Sequence, residues 1–188
     1  MRISDNQLLR LCVRKNMLEH LRNKLSRIDG NELDRQVVEF IKFMLIVSTG
    51  APPGELPVSV EIDTIWHEWL LETREYEWLC RNFLGRFIHH SGMKSLGTSS
   101  EQGDDHQGLE RDLYFCVAYM VNFGCLDKER LRYWPSVNRV LGSLQLSLGE
   151  LYHTALRMAT TWERSPCIDF LPLLMEHSKL DIPGISKS

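Results

Sequence analysis

The 188-residue sequence has no paired-cysteine motif, no apolar run long enough to span a bilayer and no strong excess of either charge. Its five cysteines, Cys12, Cys80, Cys116, Cys125 and Cys167, are odd in number, and none forms a C-x-x-C pair. That argues against the disulfide framework of a secreted protein and favours a reducing compartment, so a cytoplasmic location is expected. The most apolar stretch, Val37–Val47, falls short of the roughly 20 residues that cross a membrane and carries Glu39 and Lys42. It reads as a buried helix, and no membrane association is expected. The first thirty residues hold no apolar block followed by a small-residue cleavage site, so no secretory signal is expected. A net charge of −3 and a pI near 6.2 argue against general nucleic-acid binding, which needs a basic surface. G-x-S-x-G, Walker, G-x-G-x-x-G and H-E-x-x-H patterns are missing: His67-Glu68 opens like a zincin, but Leu71 stands where the second histidine would be.

What is present is helical periodicity. The apolar share is 43% and the charged share 25%, close to the average of folded globular chains and enough for a core without staples. Val13, Met17, Leu21, Leu25 and Ile28 predict one amphipathic helix over 5–28, capped by Ser4 or Asp5 and stopped by Gly30, with a basic outer face. Asn31 is expected to cap a second, more buried helix over 31–48. Residues 50–57, with three prolines and two glycines, form a loop. Ser59 opens a helix to Glu72, and another runs from Thr73 to Leu84 with Gly85 as its stop. Residues 91–108 contain four glycines and four serines and predict a flexible loop. Helices are expected over Leu109–Phe123, 127–133, Leu148–Glu163 and Ile168–Lys179, while 136–145 is ambiguous and 185–188 forms a frayed tail. No strand-period alternation longer than a few residues is found. The expected fold is all-α, one bundle of six to eight helices over residues 1–184.

Chemistry-bearing side chains gather between residues 57 and 92. On a helix Ile62, Ile65, Trp66, Trp69 and Leu70 share one face, and Asp63 and His67 stack one turn apart at its edge, half-buried beside aromatic rings. The next helix places Tyr76, Leu79, Cys80, Phe83 and Leu84 on a face with Cys80 at its centre, and His89-His90 follow Gly85. A helical hairpin bringing Asp63, His67, Cys80 and one of His89 and His90 together offers carboxylate, imidazole and thiolate, ligands suited to Zn or Fe. The remaining histidine would then serve as a supporting residue or proton carrier. Each of these residues also has a plain structural use: Cys80 as a small buried hydrophobe, Asp63 and His67 as a surface hydrogen-bonded pair, the histidines as a helix end. A Cys80–histidine hydrolase needs an activated thiolate, which an apolar helix face opposes. Tyr114, Phe115, Tyr119 and Phe123 read as core rather than as a base-stacking platform, and His153 is a weak extra ligand candidate. Glu61, Glu68, Glu72 and Glu75 can share an acidic outer face, either solvated or turned to a basic partner.

The run Asp63, Trp66-His67, Tyr76, Cys80, Gly85 and His89-His90, preceded by Pro57 and Ser59, resembles the core motif of the glycine-rich domain-containing-protein-like family, in particular its short bacterial and phage members. The similarity covers about a sixth of the chain and lacks the glycine-rich tail and second copy of plant members. It implies a helical module and one shared site, without naming a reaction. Two functions follow as expectations. In one, the cluster binds a metal or forms a polar functional site. In the other, the protein is a non-enzymatic interaction module, a regulator or inhibitor of an unknown protein partner, and the same cluster is a structural staple.

Overall fold

The computed structural model describes residues 3–49, 57–90, 105–161 and 168. The loop expected over 50–57 therefore lies almost wholly outside the described residues, as do 91–104 of the expected 91–108 loop, Cys167, nearly all of the helix expected over 168–179 and the tail at 185–188. Among the described residues the chain is all-α, with nine α-helices and no strand.

The first helix opens as the sequence suggests. The Ser4 hydroxyl accepts from the Gln7 N–H (3.3 Å), and the Gln7 side chain accepts from the Ser4 N–H (2.8 Å), a reciprocal cap that satisfies two otherwise orphan donors. The expected 5–28 helix is nevertheless two helices, α1 (Asp5–Cys12) and α2 (Lys15–Lys24), separated by Val13 and Arg14 in extended conformation. The cause is tertiary. α1 packs on the third helix and α2 on the fourth, and one straight rod cannot follow both. Val13, stiff at its branched Cβ, tolerates the extended break.

Gly30, expected as a stop, begins the third helix, α3 (Gly30–Ser48), and the cap is Asp29 rather than Asn31: its carboxylate accepts from the N–H groups of Asn31 (2.9 Å) and Glu32 (3.3 Å). Every residue from Gln36 to Ile46 is buried. α3 is thus the axis around which α1, α4 (Val60–Leu71) and α6 (Asp105–Phe123) pack. α6 also takes in residues 105–108 of the expected loop. The segment read as ambiguous is helix α8 (Pro135–Leu144), started by a proline whose missing N–H costs nothing there. It follows the short α7 (Lys128–Leu131) and precedes α9 (Leu148–Met158), which ends earlier than expected. Phe115 and Tyr119 lie in the core, with the Phe115 ring 4.8 Å from that of Trp134.

The two charges inside the apolar run are explained by partners that are distant in sequence. Glu39 is 0% and Lys42 2% exposed. Glu39 accepts from Lys42 Nζ (2.8 Å), the Tyr119 hydroxyl (2.8 Å) and the Trp134 indole N–H (2.9 Å), and faces Arg130 at 3.4 Å. Lys42 also meets Asp5 at 3.1 Å, and Arg130 meets Asp5 at 2.6 Å. A carboxylate so enclosed is tolerable only because nearly every lone pair has a donor.

The acidic face also finds its partner within the chain. Glu75 is buried, held by Asn16 (2.8 Å) and Arg14 (3.3 Å). Both ring nitrogens of His20 face acids, Glu68 at 3.5 Å and Glu72 at 3.6 Å. Arg14, Asn16 and His20 therefore meet the acidic face of α4–α5, and of the four acids only Glu61 is exposed.

Three carboxyls are held below their ordinary range, one of them the exposed Glu150, which accepts from the Ser147 hydroxyl and N–H. Burial pushes Asp5 up, but Lys42 and Arg130 outweigh it. Burial also pushes Glu32 up, and the Tyr133 hydroxyl, Gln36, Arg132 and Arg35 more than reverse it. A depressed folded-state pKa supplies stability above the ordinary carboxylate value that is lost as pH falls through the folded value. The melting temperature should therefore fall as pH drops below about 4, and Glu32→Gln should make that fall less steep. Equal slopes for variant and wild type would remove Glu32 from the account.

Candidate functional site

α4 carries the first half of the site. Ser59 accepts from the Ile62 N–H (3.4 Å), while its own N–H donates to the Tyr133 carbonyl (3.1 Å), fixing where the helix begins. Ile62, Ile65, Trp66 and Trp69 are buried against α3, with the Trp66 ring 5.4 Å from that of Phe43 and the Trp69 ring 5.1 Å from that of Phe40. Asp63 and His67 fall at the edge of this face, as their spacing requires, 42% and 54% exposed at the side chain. His67 Nδ1 lies 2.8 Å from the Asp63 backbone carbonyl and 3.3 Å from its carboxylate.

The second half comes from the chain beyond α5 (Thr73–Leu79). That helix widens into a π-helical turn, Cys80–Leu84, and ends at Gly85. Gly85 has φ +66, a left-handed conformation that a side chain would strain. The chain then runs without regular structure through His90. Exposure alternates along it: Phe87 out, Ile88 in, His89 out, His90 half-buried. His90, with only 12% of its side chain exposed, places Nε2 2.8 Å from Asp63 Oδ1. Its ring stands edge-on to Trp66 (4.3 Å) and to His67 (4.5 Å).

The structure thus gathers Asp63, His67 and His90, whose ligand atoms all lie within 4.8 Å of one another. Cys80 and His89 are not in this group. Cys80 is buried, with its thiol against the Tyr76 hydroxyl and the Ile88 backbone, and burial pushes that thiol up. It thus lies apart from the clustered donors, and its burial opposes an activated thiolate. His89 is exposed, its ring tilted against that of Phe87 at 4.9 Å. His153 is exposed on α9 and stands apart from the cluster. Beside the hairpin, a recess of about 270 Å³ is lined by Glu77, Cys80, Arg81, Gly85, Arg86 and Phe87; none of the three clustered residues opens into it.

Choosing between the two histidines was within reach of the sequence. On an irregular segment anchored by an apolar Ile88, side chains alternate sides, so His90 and not His89 turns to the opposite face from Ile88's neighbours. Tyr76, placed by the sequence in the motif and on an apolar helix face, has hydrogen bonds there that spacing does not reveal. Its hydroxyl accepts from the Trp66 indole N–H (3.2 Å) and donates to the Ile88 carbonyl.

The comparisons fit this anatomy without naming an activity. A family model described as UCP032817-like matches residues 6–138, a span that includes the whole cluster. No curated protein and no solved structure matches the chain.

Proposed function

The chain belongs to the UCP032817-like family, and we propose that in it Asp63, His67 and His90 hold a divalent metal ion, zinc or ferrous iron. The convergence of one carboxylate and two imidazoles within 4.8 Å carries this reading. Two histidines and one carboxylate form a donor set that suits both ions and leaves coordination positions open. The surroundings suit it as well. A proton on His67 Nδ1 has the Asp63 carbonyl as acceptor at 2.8 Å, the outer-shell arrangement that orients a ligating imidazole and leaves its other nitrogen free. Ligand atoms bound to zinc stand roughly 3.3–3.5 Å apart, so the direct Asp63–His90 contact at 2.8 Å would open slightly around an ion. A divalent ion with open positions polarises a bound oxygen. The motif's similarity to the glycine-rich domain-containing-protein-like family supports treating these residues as one site.

Metal analysis of protein purified without an affinity tag tests the reading. The expected result is near-stoichiometric zinc or iron, sharply lowered in His67→Ala and His90→Ala and kept in Cys80→Ser and His89→Ala. Wild-type protein that is metal-free and takes up neither Zn²⁺ nor Fe²⁺ at micromolar levels overturns it.

One observation favours the interaction-module reading instead. The Asp63–His90 hydrogen bond already joins α4 to the segment after Gly85, so the cluster also works as a polar staple with no ion. Retention of partner binding in a variant that no longer takes up metal would put that reading first.

A further inference from the structure

We propose that Tyr76 is the positioning residue of this centre: its hydroxyl sets where the third donor, His90, stands. The inference rests on the metal reading above. Asp63 and His67 sit one turn apart on a single helix, and the α4 backbone ladder fixes their relation. His90 has no such support. It lies five residues beyond Gly85, on a segment with no helical hydrogen bonds, so side-chain contacts must hold it.

The His90 ring bonds to Asp63 at 2.8 Å, and the backbone that carries it is tied through the Tyr76 hydroxyl. A phenol hydroxyl can donate one hydrogen bond and accept two. Tyr76 donates to the carbonyl of Ile88, two residues before His90, and accepts from the Trp66 indole N–H at 3.2 Å. The Cys80 thiol lies against the same hydroxyl. Trp66 in turn is the surface on which the His90 ring leans, at 4.3 Å. The hydroxyl therefore ties the backbone that carries His90 to the indole that its ring touches. Tyr76 is 1% exposed, so the bond is made out of reach of bulk solvent. This arrangement also gives the aromatic and thiol members of the motif a common use: Trp66, Tyr76 and Cys80 brace the loop, and Asp63, His67 and His90 present the donors.

Tyr76→Phe keeps the ring, and with it the edge contact to Phe87 at 5.0 Å, and removes only the hydroxyl. Two measurements on the full chain decide the matter. In Zn²⁺ titrations the variant should bind about ten- to a hundredfold more weakly than wild type, the usual effect of losing an outer-shell partner. Val140→Ala, a core deletion on α8 (Val140 is 0% exposed), should leave Zn²⁺ affinity within about twofold. In the metal-free protein the His90 ring protons should show shifts displaced by the Trp66 ring current, and in Tyr76→Phe these should move to the values of an exposed imidazole. Unchanged Zn²⁺ affinity in Tyr76→Phe, with binding abolished in His90→Ala, overturns the proposal and leaves the metal centre standing. Equal weakening by Val140→Ala also overturns it, because the loss would then reflect stability alone. Wild-type protein that takes up neither Zn²⁺ nor Fe²⁺ overturns the metal reading, and the ring shifts then decide Tyr76 alone: lost in the variant they uphold its positioning role, and unchanged they end it.

Discussion

Glu39→Ala should be among the most damaging single substitutions in this protein, costing about 3–5 kcal/mol, the scale seen when one partner of a buried ion pair is removed. Domains of this kind are stable by only about 5–15 kcal/mol, so the variant should unfold at a far lower urea concentration. The loss arises from what is left behind. Lys42, 2% exposed, would be left with Asp5 as its acidic partner, and the Tyr119 hydroxyl and Trp134 N–H would lose their acceptor. The double variant Glu39→Leu/Lys42→Met should recover much of the loss, because removing both charges together relieves the desolvation cost that removing one leaves uncompensated. Arg130 and Asp5 still pair with each other in that background. Urea unfolding of the two single variants and the double variant gives the coupling energy directly. A Glu39→Ala midpoint within experimental error of wild type would mean that the carboxylate carries no net stability.

The second large effect separates scaffold from site on one helix. Trp66 is 8% exposed, packs within 5.4 Å of the Phe43 ring and 6.3 Å of the Phe40 ring, and donates its indole N–H to Tyr76. Trp66→Ala should therefore cost about 3–5 kcal/mol, as large aromatic deletions in cores do. Three residues earlier, Asp63 is 42% exposed and bonds only to the two histidines, apart from its helix ladder. Asp63→Asn should lower the melting temperature far less than Trp66→Ala, yet abolish metal uptake or partner binding at the site. Melting curves of both variants, with metal content measured alongside, decide it. If Asp63→Asn unfolds the protein as severely as Trp66→Ala, Asp63 is a structural hydrogen-bonding residue and the interaction-module reading takes the lead.

Local chemistry was legible in the sequence, and long-range chemistry was not. The serine caps at Ser4 and Ser59, the apolar face of Ile62, Ile65, Trp66 and Trp69, and the edge position of Asp63 and His67 all follow from helical spacing, and the structure has them there. The break at Val13–Arg14 has no local stop signal, since it exists only because α1 and α2 dock on different helices. Glu39 and Lys42 look like flaws in a buried run until Tyr119, Arg130 and Trp134 arrive from residues far along the chain. The acidic face of α4–α5 reads as surface because its counterpart, Arg14, Asn16 and His20, belongs to a helix that composition alone casts as solvated. At the site, spacing located Asp63 and His67. It placed Cys80 with them because a helix-face argument sees only that Cys80 lies inward, and the inward direction here leads to Tyr76 rather than to the cluster.

The enclosure of Glu39 has a consequence for synthesis on the ribosome. The donors to its carboxylate enter the chain in order: Lys42 almost at once, Tyr119 and Arg130 much later, and Trp134 last. While the first ninety residues emerge, the central helix α3 carries Glu39 with Lys42 beside it, and the flank that α6 will cover is bare. That nascent segment can form its helices, but it cannot bury α3 from all sides before α6 and Trp134 have been made. Completion of the core is therefore a late event in translation, and the same dependence makes a chain cut short before Trp134 a natural substrate for chaperones and proteases, which act on exposed apolar helix.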